Sequence, residues 1–343
     1  MTRPHGILRA GYPYLRTLGM RRITNFPVDV AFGKDNMIYV LCRAEGQALI
    51  RVWPIEDMEQ QTDDLKGIGN GYGTGDGQLL WPVQIITDAD NNVYVTDEAA
   101  NKVTVFDSNA QFVSKWGKEG SCEGQFDGPT GIALHDDGHL VLVDSKNNRI
   151  QRYTTSGEYL GAFGEAGSDP GQLNLPWGVH VDELGDIYVS DWGNNRCQVF
   201  DRTGNLKTII GRYGHGEGEF DRPTGIAVDG HGDIYVADSG NDRVQMFNSE
   251  GQYIASFKGD ASLSKVARAF MLTNAMSNRL RESGRIEQEK YLRKPRSVRI
   301  DDSFRLFIPD YESYRIQVYE KDFLVLDETQ LSSPLRNPTL EVT

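Results

Sequence analysis

Cysteine is scarce in this chain: Cys42, Cys122 and Cys197 are the only three in 343 residues, and none lies at C-x-x-C spacing. An odd, widely separated set excludes a disulfide framework and a zinc knuckle, and it fits a reducing, cytoplasmic setting. Histidine is nearly as sparse. His135, His139 and His231 fall in expected turns, His215 in a link, His5 near the start, and only His180 on an inward-facing strand. No three-histidine metal site follows, and no metal is expected. Long apolar runs are also missing. None approaches the ~18 residues of a membrane span, and Met1 to Gly19 is broken by Arg and Pro where a signal peptide needs an apolar stretch. There is no G-x-S-x-G elbow, no phosphate-binding G-x-x-x-x-G-K and no motif that specifies a cofactor.

Positive charge is in deficit, with 36 basic against 49 acidic residues and a net charge of −13. Such a field repels phosphate backbones, and the aromatic residues do not interleave with the basic ones as stacking platforms would, so nucleic acid is not an expected partner. One segment runs the other way. Between Lys265 and Arg299 stand ten basic residues against Glu282, Glu287 and Glu289.

What the chain does have is glycine, aromatic residues and repetition. Three units read PTGIALHDDGHLVLVDSKNNRIQRY from Pro129, PWGVHVDELGDIYVSDWGNNRCQVF from Pro176 and PTGIAVDGHGDIYVADSGNDRVQMF from Pro223, their prolines 47 residues apart. Looser copies begin at Pro27, Pro82 and Pro295, making six. Each unit holds four short apolar runs separated by turns rich in Asp, Asn and Gly, the pattern of an antiparallel meander. The first two strands are apolar on both faces, so each sheet must stack on its neighbours. The expected fold is therefore all-β: a six-bladed β-propeller of four-stranded antiparallel blades, forming one domain over residues 1–343.

The elements G-x-F/L-x-x-P-x-G-I-A-V-D, I-Y-V-A-D and N-x-R-V-Q-V-F closely resemble the NHL-repeat family over roughly residues 12 to 326. That resemblance implies the propeller fold. The family includes RNA-binding and protein-binding propellers and a zinc-dependent lyase that amidates peptides, and the histidine ligands of that lyase are not recognisable here. Ring closure is also readable. Residues Tyr12 to Gly19 align with the outermost-strand pattern Gly157 to Gly164 and are expected to complete the last blade; the competing candidate, Phe323 to Leu326, lacks the preceding Gly turn.

Five Asp residues end second strands with a basic residue five positions later: Asp97 and Lys102, Asp144 and Arg149, Asp191 and Arg196, Asp238 and Arg243, Asp310 and Arg315. In the first unit both partners vanish together, into Cys42 and Leu49. Joint loss marks an ion pair bracing a hairpin rather than a calcium-binding ring.

Departures from the repeat locate the candidate site. Two residues after the unit proline stand Gly131, Gly178 and Gly225 in the regular blades but Asp29, Gln84 and Ser297 in the others, which are ring neighbours. Arg296, Arg299, Arg43 and Glu98 lie beside them, with Trp81, Trp177, Trp192 and Tyr311 as aromatic edges, all on the face of the strand-two turns and blade links. The 72-residue gap between Pro223 and Pro295 holds an insertion whose apolar spacing predicts an amphipathic helix over 262–283 on that face. The reading preferred from these facts is a non-enzymatic propeller binding an anionic small molecule or an acidic protein partner at the channel mouth. The alternative is a lyase or hydrolase in the channel mouth under the helix, with Asp29, His180, Cys42 or Glu98 supplying acid-base groups.

Overall fold

The computed structural model describes residues 6–326, apart from positions 22, 45, 56–65, 265–266, 270 and 272–285. Six four-stranded antiparallel sheets form the blades. Blade 1 starts with Pro27–Gly33, blade 2 with Pro82–Thr87, blade 3 with Pro129–Leu134, blade 4 with Val179–Val181, blade 5 with Pro223–Val228 and blade 6 with Arg299–Ile300. These are the innermost strands. The outermost strand of blade 6 is Tyr14–Leu18, paired with Arg315–Glu320, so the N-terminal strand closes the ring as its Gly-bounded pattern predicts. The rival segment has another use: Asp322–Leu326 pairs with Gly6–Gly11 in a separate two-stranded sheet.

Core packing follows the blade interfaces. The buried apolar residues fall into six clusters, each drawn from two adjacent blades. Val30, Ile38 and Val40 of blade 1 meet Phe307, Ile316 and Val318 of blade 6, for example. A second strand such as Ile234–Asp238 is buried at every position, which explains its continuous apolar run.

Each of blades 3 to 6 is braced on one face by the carboxylate that ends its second strand. Asp238 accepts bonds from Asp221 N (2.8 Å), Asn241 Nδ2 (2.9 Å), Arg243 Nε (2.7 Å) and Gln245 Nε2 (3.1 Å), while Arg243 Nη2 reaches back to two link carbonyls. Asp144, Asp191 and Asp310 hold the matching Arg in the same way. The expected Asp97–Lys102 pair is not made: Lys102 Nζ donates to Gln78 O at 2.8 Å, and Asp97 is satisfied by backbone N–H groups. A lysine carries one nitrogen where arginine has three, so it serves the carbonyl and not both partners.

Most of the helix expected over 262–283 lies outside the described residues. At its start Ser264 accepts Ala267 N–H on Oγ and Arg268 N–H on its carbonyl, as a helix cap does. A four-residue helix, Ile286–Glu289, precedes blade 6.

Candidate functional site

At the level of the unit prolines the channel is crossed by polar side chains. In blades 3 to 5 the glycines allow neighbouring inner strands to approach closely; a Cβ on Gly178 would lie 2.3 Å from Thr224 O. In the other blades the replacements fill wider gaps. Asp29, wholly buried, accepts from Arg299 Nη2 (2.7 Å), Arg299 Nε (3.0 Å), Ser297 Oγ (2.5 Å) and Ile85 N (3.0 Å). Gln84 accepts Ile132 N (3.2 Å) and reaches Val179 O, two blades away, at 3.5 Å. Asp29, Ser297 and Arg299 thus form one hydrogen-bonded group inside the channel, with Arg299 paired to Asp29, and Gln84 bridges separately to blades 3 and 4 in the same layer.

Below this layer a cavity of about 300 Å³ is lined by the far halves of the innermost strands, among them Val30, Phe32, Thr87, Leu134, His180, Val181, Arg299 and Asp302. It lies on the side where first strands turn into second strands. That is opposite to the face of the blade links on which the sequence departures are placed. Its inner end carries the only histidine among its lining residues. Burial, reinforced by the Arg299 charge, pushes the His180 imidazole down to about 3, so it is neutral near pH 7. Arg299 lines the cavity and uses Nε and Nη2 in its bonds, and no hydrogen bond is made by its Nη1 among the described residues. Asp302 stands exposed at the rim.

The remaining candidates are elsewhere. On the link face Arg43 stacks over Trp81 (4.2 Å to the ring centroid) and lies 5.9 Å from the Tyr311 centroid, with Arg296 5.0 Å from the same ring. Both arginines are largely sandwiched, and their buried Nε atoms have no partner. Glu98, in the turn after strand two, donates its backbone N–H to Trp81 O at 3.1 Å. Trp177 accepts Thr130 Oγ1 on its carbonyl, and Trp192 carries Arg222 at 5.2 Å. Cys42 is buried between blades 6 and 1, away from the cavity. Burial pushes its thiol up to about 12, which removes it as a nucleophile at neutral pH.

A family model described as a 6-bladed beta-propeller matches residues 179–281, and an NHL repeat model matches residues 126–153. The fold is that of an NHL-repeat six-bladed β-propeller. No curated protein sequence matches the chain. Solved structures similar to this propeller include a streptogramin B lyase (TM-score 0.56, 13% identity, covering 92% of this chain and 89% of that one). A catalytically inactive histidine-to-alanine variant of virginiamycin B lyase from Staphylococcus aureus, with quinupristin, is similar at TM-score 0.55 and 12% identity, covering 91% and 88%. A protein of unknown function from Bacteroides thetaiotaomicron reaches 0.59 at 14%, covering 92% and 76%.

At such identities the likeness is one of fold. It nevertheless corrects the preference for a non-enzymatic binder. That preference leaned on the absence of a catalytic motif, and propellers matching this one over nine-tenths of its length include lyases. A ring gathers its polar groups from strands far apart in sequence, so a missing contiguous motif is no argument against catalysis. Among the described residues no helix is long and apolar enough to cross a membrane.

Proposed function

We propose that the protein is a lyase or hydrolase whose reaction takes place in the channel cavity, with His180 as proton acceptor and Arg299 as the group that stabilises negative charge on the substrate. The observation that carries this reading is that His180 and Arg299 line one cavity of about 300 Å³, a size that encloses a small ligand, with burial and the Arg299 charge both lowering the imidazole's affinity for a proton. The two groups are coupled. In the free protein the Arg299 charge opposes protonation of His180. Negative charge growing on a carbonyl oxygen near Nη1 offsets that opposition, so the imidazole gains basicity as the transition state forms. Such an interaction is stronger in the transition state than in the ground state, which is the requirement for catalysis. Asp29 positions Arg299 through two parallel bonds. The inactivity of the S. aureus relative's histidine-to-alanine variant supports looking for an essential imidazole, and His180 is the one this cavity offers.

The test is direct. Quinupristin, the compound found with that relative, and a panel of simple esters and lactones are incubated with the protein and followed by mass spectrometry. Elimination leaves the summed mass unchanged, whereas hydrolysis adds one water. Turnover should fall by about 10²-fold or more in His180→Gln and in Arg299→Gln, the range for loss of an acid-base or charge-stabilising group. Turnover that survives both substitutions would remove the reaction from this cavity.

A further inference from the structure

On the face where first strands turn into second strands, a second brace recurs. In blade 2 the Asp88 carboxylate accepts the N–H groups of Asp90 and Asn92, and the hydroxyl of Tyr94 on the next strand donates to it at 3.0 Å. Blade 4 repeats this with Asp182 and Tyr188, also at 3.0 Å. Blade 5 does so with Asp229 and Tyr235. Blade 6 keeps Asp301, with Arg305 in place of the phenol, and blade 1 keeps Tyr39 against Gly33. Blade 3 alone has neither member: His135 and Val141 stand at the two positions.

Two further changes accompany that loss. The residue paired across the strands from the tyrosine is Val105, Val199 or Met246 in blades 2, 4 and 5, but in blade 3 it is Arg152, opposite Val141. The outer turn of the next blade brings Thr155 over Tyr94 of blade 2 and Lys321 onto the Asp229 carboxylate of blade 5, whereas over blade 3, which has no carboxylate at that position, it brings Arg202. These four departures meet. They line a cavity of about 380 Å³ between blades 3 and 4, walled by His135, His139, Val141, Arg152, Leu160 and Arg202.

Its charge is unbalanced. Among the described residues neither Arg152 nor Arg202 forms an ion pair; Arg152 only donates to Arg202 O and lies 5.8 Å from the Phe163 ring. The carboxylate within the wall, Asp137, is already engaged by His139 N at 3.0 Å and by the imidazoles of His135 and His139 at 3.0 and 3.3 Å. Val141 and the half-exposed Leu160 give the cavity an apolar side. Gly185, held at φ +81, lies against both: a Cβ there would meet Arg202 Nη2 at 2.8 Å and His135 Nε2 at 3.0 Å, so the guanidinium and the imidazole close in only because no side chain intervenes.

We propose that this cavity is a second small-molecule site, distinct from the channel cavity, that binds a carboxylate carrying a compact apolar body. Guanidinium groups match the two oxygens of a carboxylate, and Val141 with Leu160 covers the apolar part. The proposal does not depend on the activity assigned to the channel.

Binding of benzoate and of hexanoate, with benzyl alcohol as the uncharged comparison, is measured by titration calorimetry and by NMR shifts of the His135 and His139 rings. Either carboxylate should bind saturably and perturb both rings, and benzyl alcohol should bind about tenfold more weakly or worse, the loss of a charge-assisted hydrogen bond. Arg152→Gln with Arg202→Gln should weaken the carboxylate by a similar factor. The pair His135→Asp with Val141→Tyr rebuilds the brace of the other blades and fills the space; it should abolish binding while melting no lower than the parent. The inference fails if neither carboxylate binds, or if either binds the rebuilt pair as well as the parent. Saturable Mn²⁺ binding through His135, Asp136 and Asp137 that excludes the carboxylates would overturn it in favour of a cation site.

Discussion

Each face of the ring has a repeated brace, and each brace is wholly missing in one blade. On the link face blade 1 replaces Asp and Arg with Cys42 and Leu49; on the opposite face blade 3 replaces Asp and Tyr with His135 and Val141. The outcomes differ. In blade 1 the vacated volume is nearly closed, with Cys42 inside the apolar cluster shared with blade 6 and only about 30 Å³ left beside it, between Ile23, Leu49 and Arg51. In blade 3 about 380 Å³ stays open and acquires two arginines and two imidazoles. Loss of a buried pair followed by apolar filling preserves a fold and is often neutral for stability. Loss followed by added charge around an open space serves something other than stability.

That contrast can be broken deliberately. Cys42→Asp places a buried carboxylate in the nearly filled pocket of blade 1, where Arg51 stands nearby but the arginine of the repeat is absent, and should destabilise by about 4 kcal/mol in urea denaturation, with most of the loss recovered when Leu49→Arg is added. If the double variant is no better than the single one, the blade 1 position is not an emptied copy of the brace. Asp238→Ala removes the acceptor of four bonds and strands Arg243, whose side chain is 8% exposed; the expected cost is about 3 kcal/mol, read from the same denaturation midpoint. A variant that melts like the parent would show that the carboxylate does not hold the hairpin. On the other face, Tyr235→Phe deletes one bond to Asp229 while leaving Lys321 Nζ at 2.5 Å from that carboxylate, so the loss should be close to 1 kcal/mol. The smallest effect sharpens the comparison from within blade 2. Lys102→Arg would supply the missing contact to Asp97 and should raise stability by about 0.5 kcal/mol, measurable as a small rise in Tm.

The propeller was legible because its grammar repeats. Prolines 47 residues apart, Asp-rich turns and the I-Y-V-A-D run recur often enough that strand order follows without coordinates, and the Gly-bounded pattern at Tyr12 to Gly19 placed the closing strand in blade 6. The site was less legible. Asp29, Gln84, Ser297 and Arg299 could be picked out as departures, but not the fact that Asp29 bonds Ser297 and Arg299 and that the open cavity lies on the other side of their layer. Which half of an innermost strand borders empty space depends on how far neighbouring strands approach, and one sequence does not state that distance. His135, Val141 and Arg152 are different. Their signal was in the repeat, and aligning the turns between first and second strands as closely as the prolines would have found it.

Blade 6 is assembled from strands far apart in the chain: Leu18 pairs with Ile316 and Arg16 with Val318. During synthesis the first of these strands leaves the ribosome long before its partner exists. Blades 2 to 5 can form and stack in order of emergence, each needing only local contacts, whereas the last blade needs contacts between residues nearly 300 positions apart, the kind that slow folding most. Until then the Val30, Ile38 and Val40 side of blade 1 has no Phe307, Ile316 or Val318 to cover it. The newborn protein is therefore an open arc with an adhesive edge, and its vulnerable period ends when Leu18 meets Ile316.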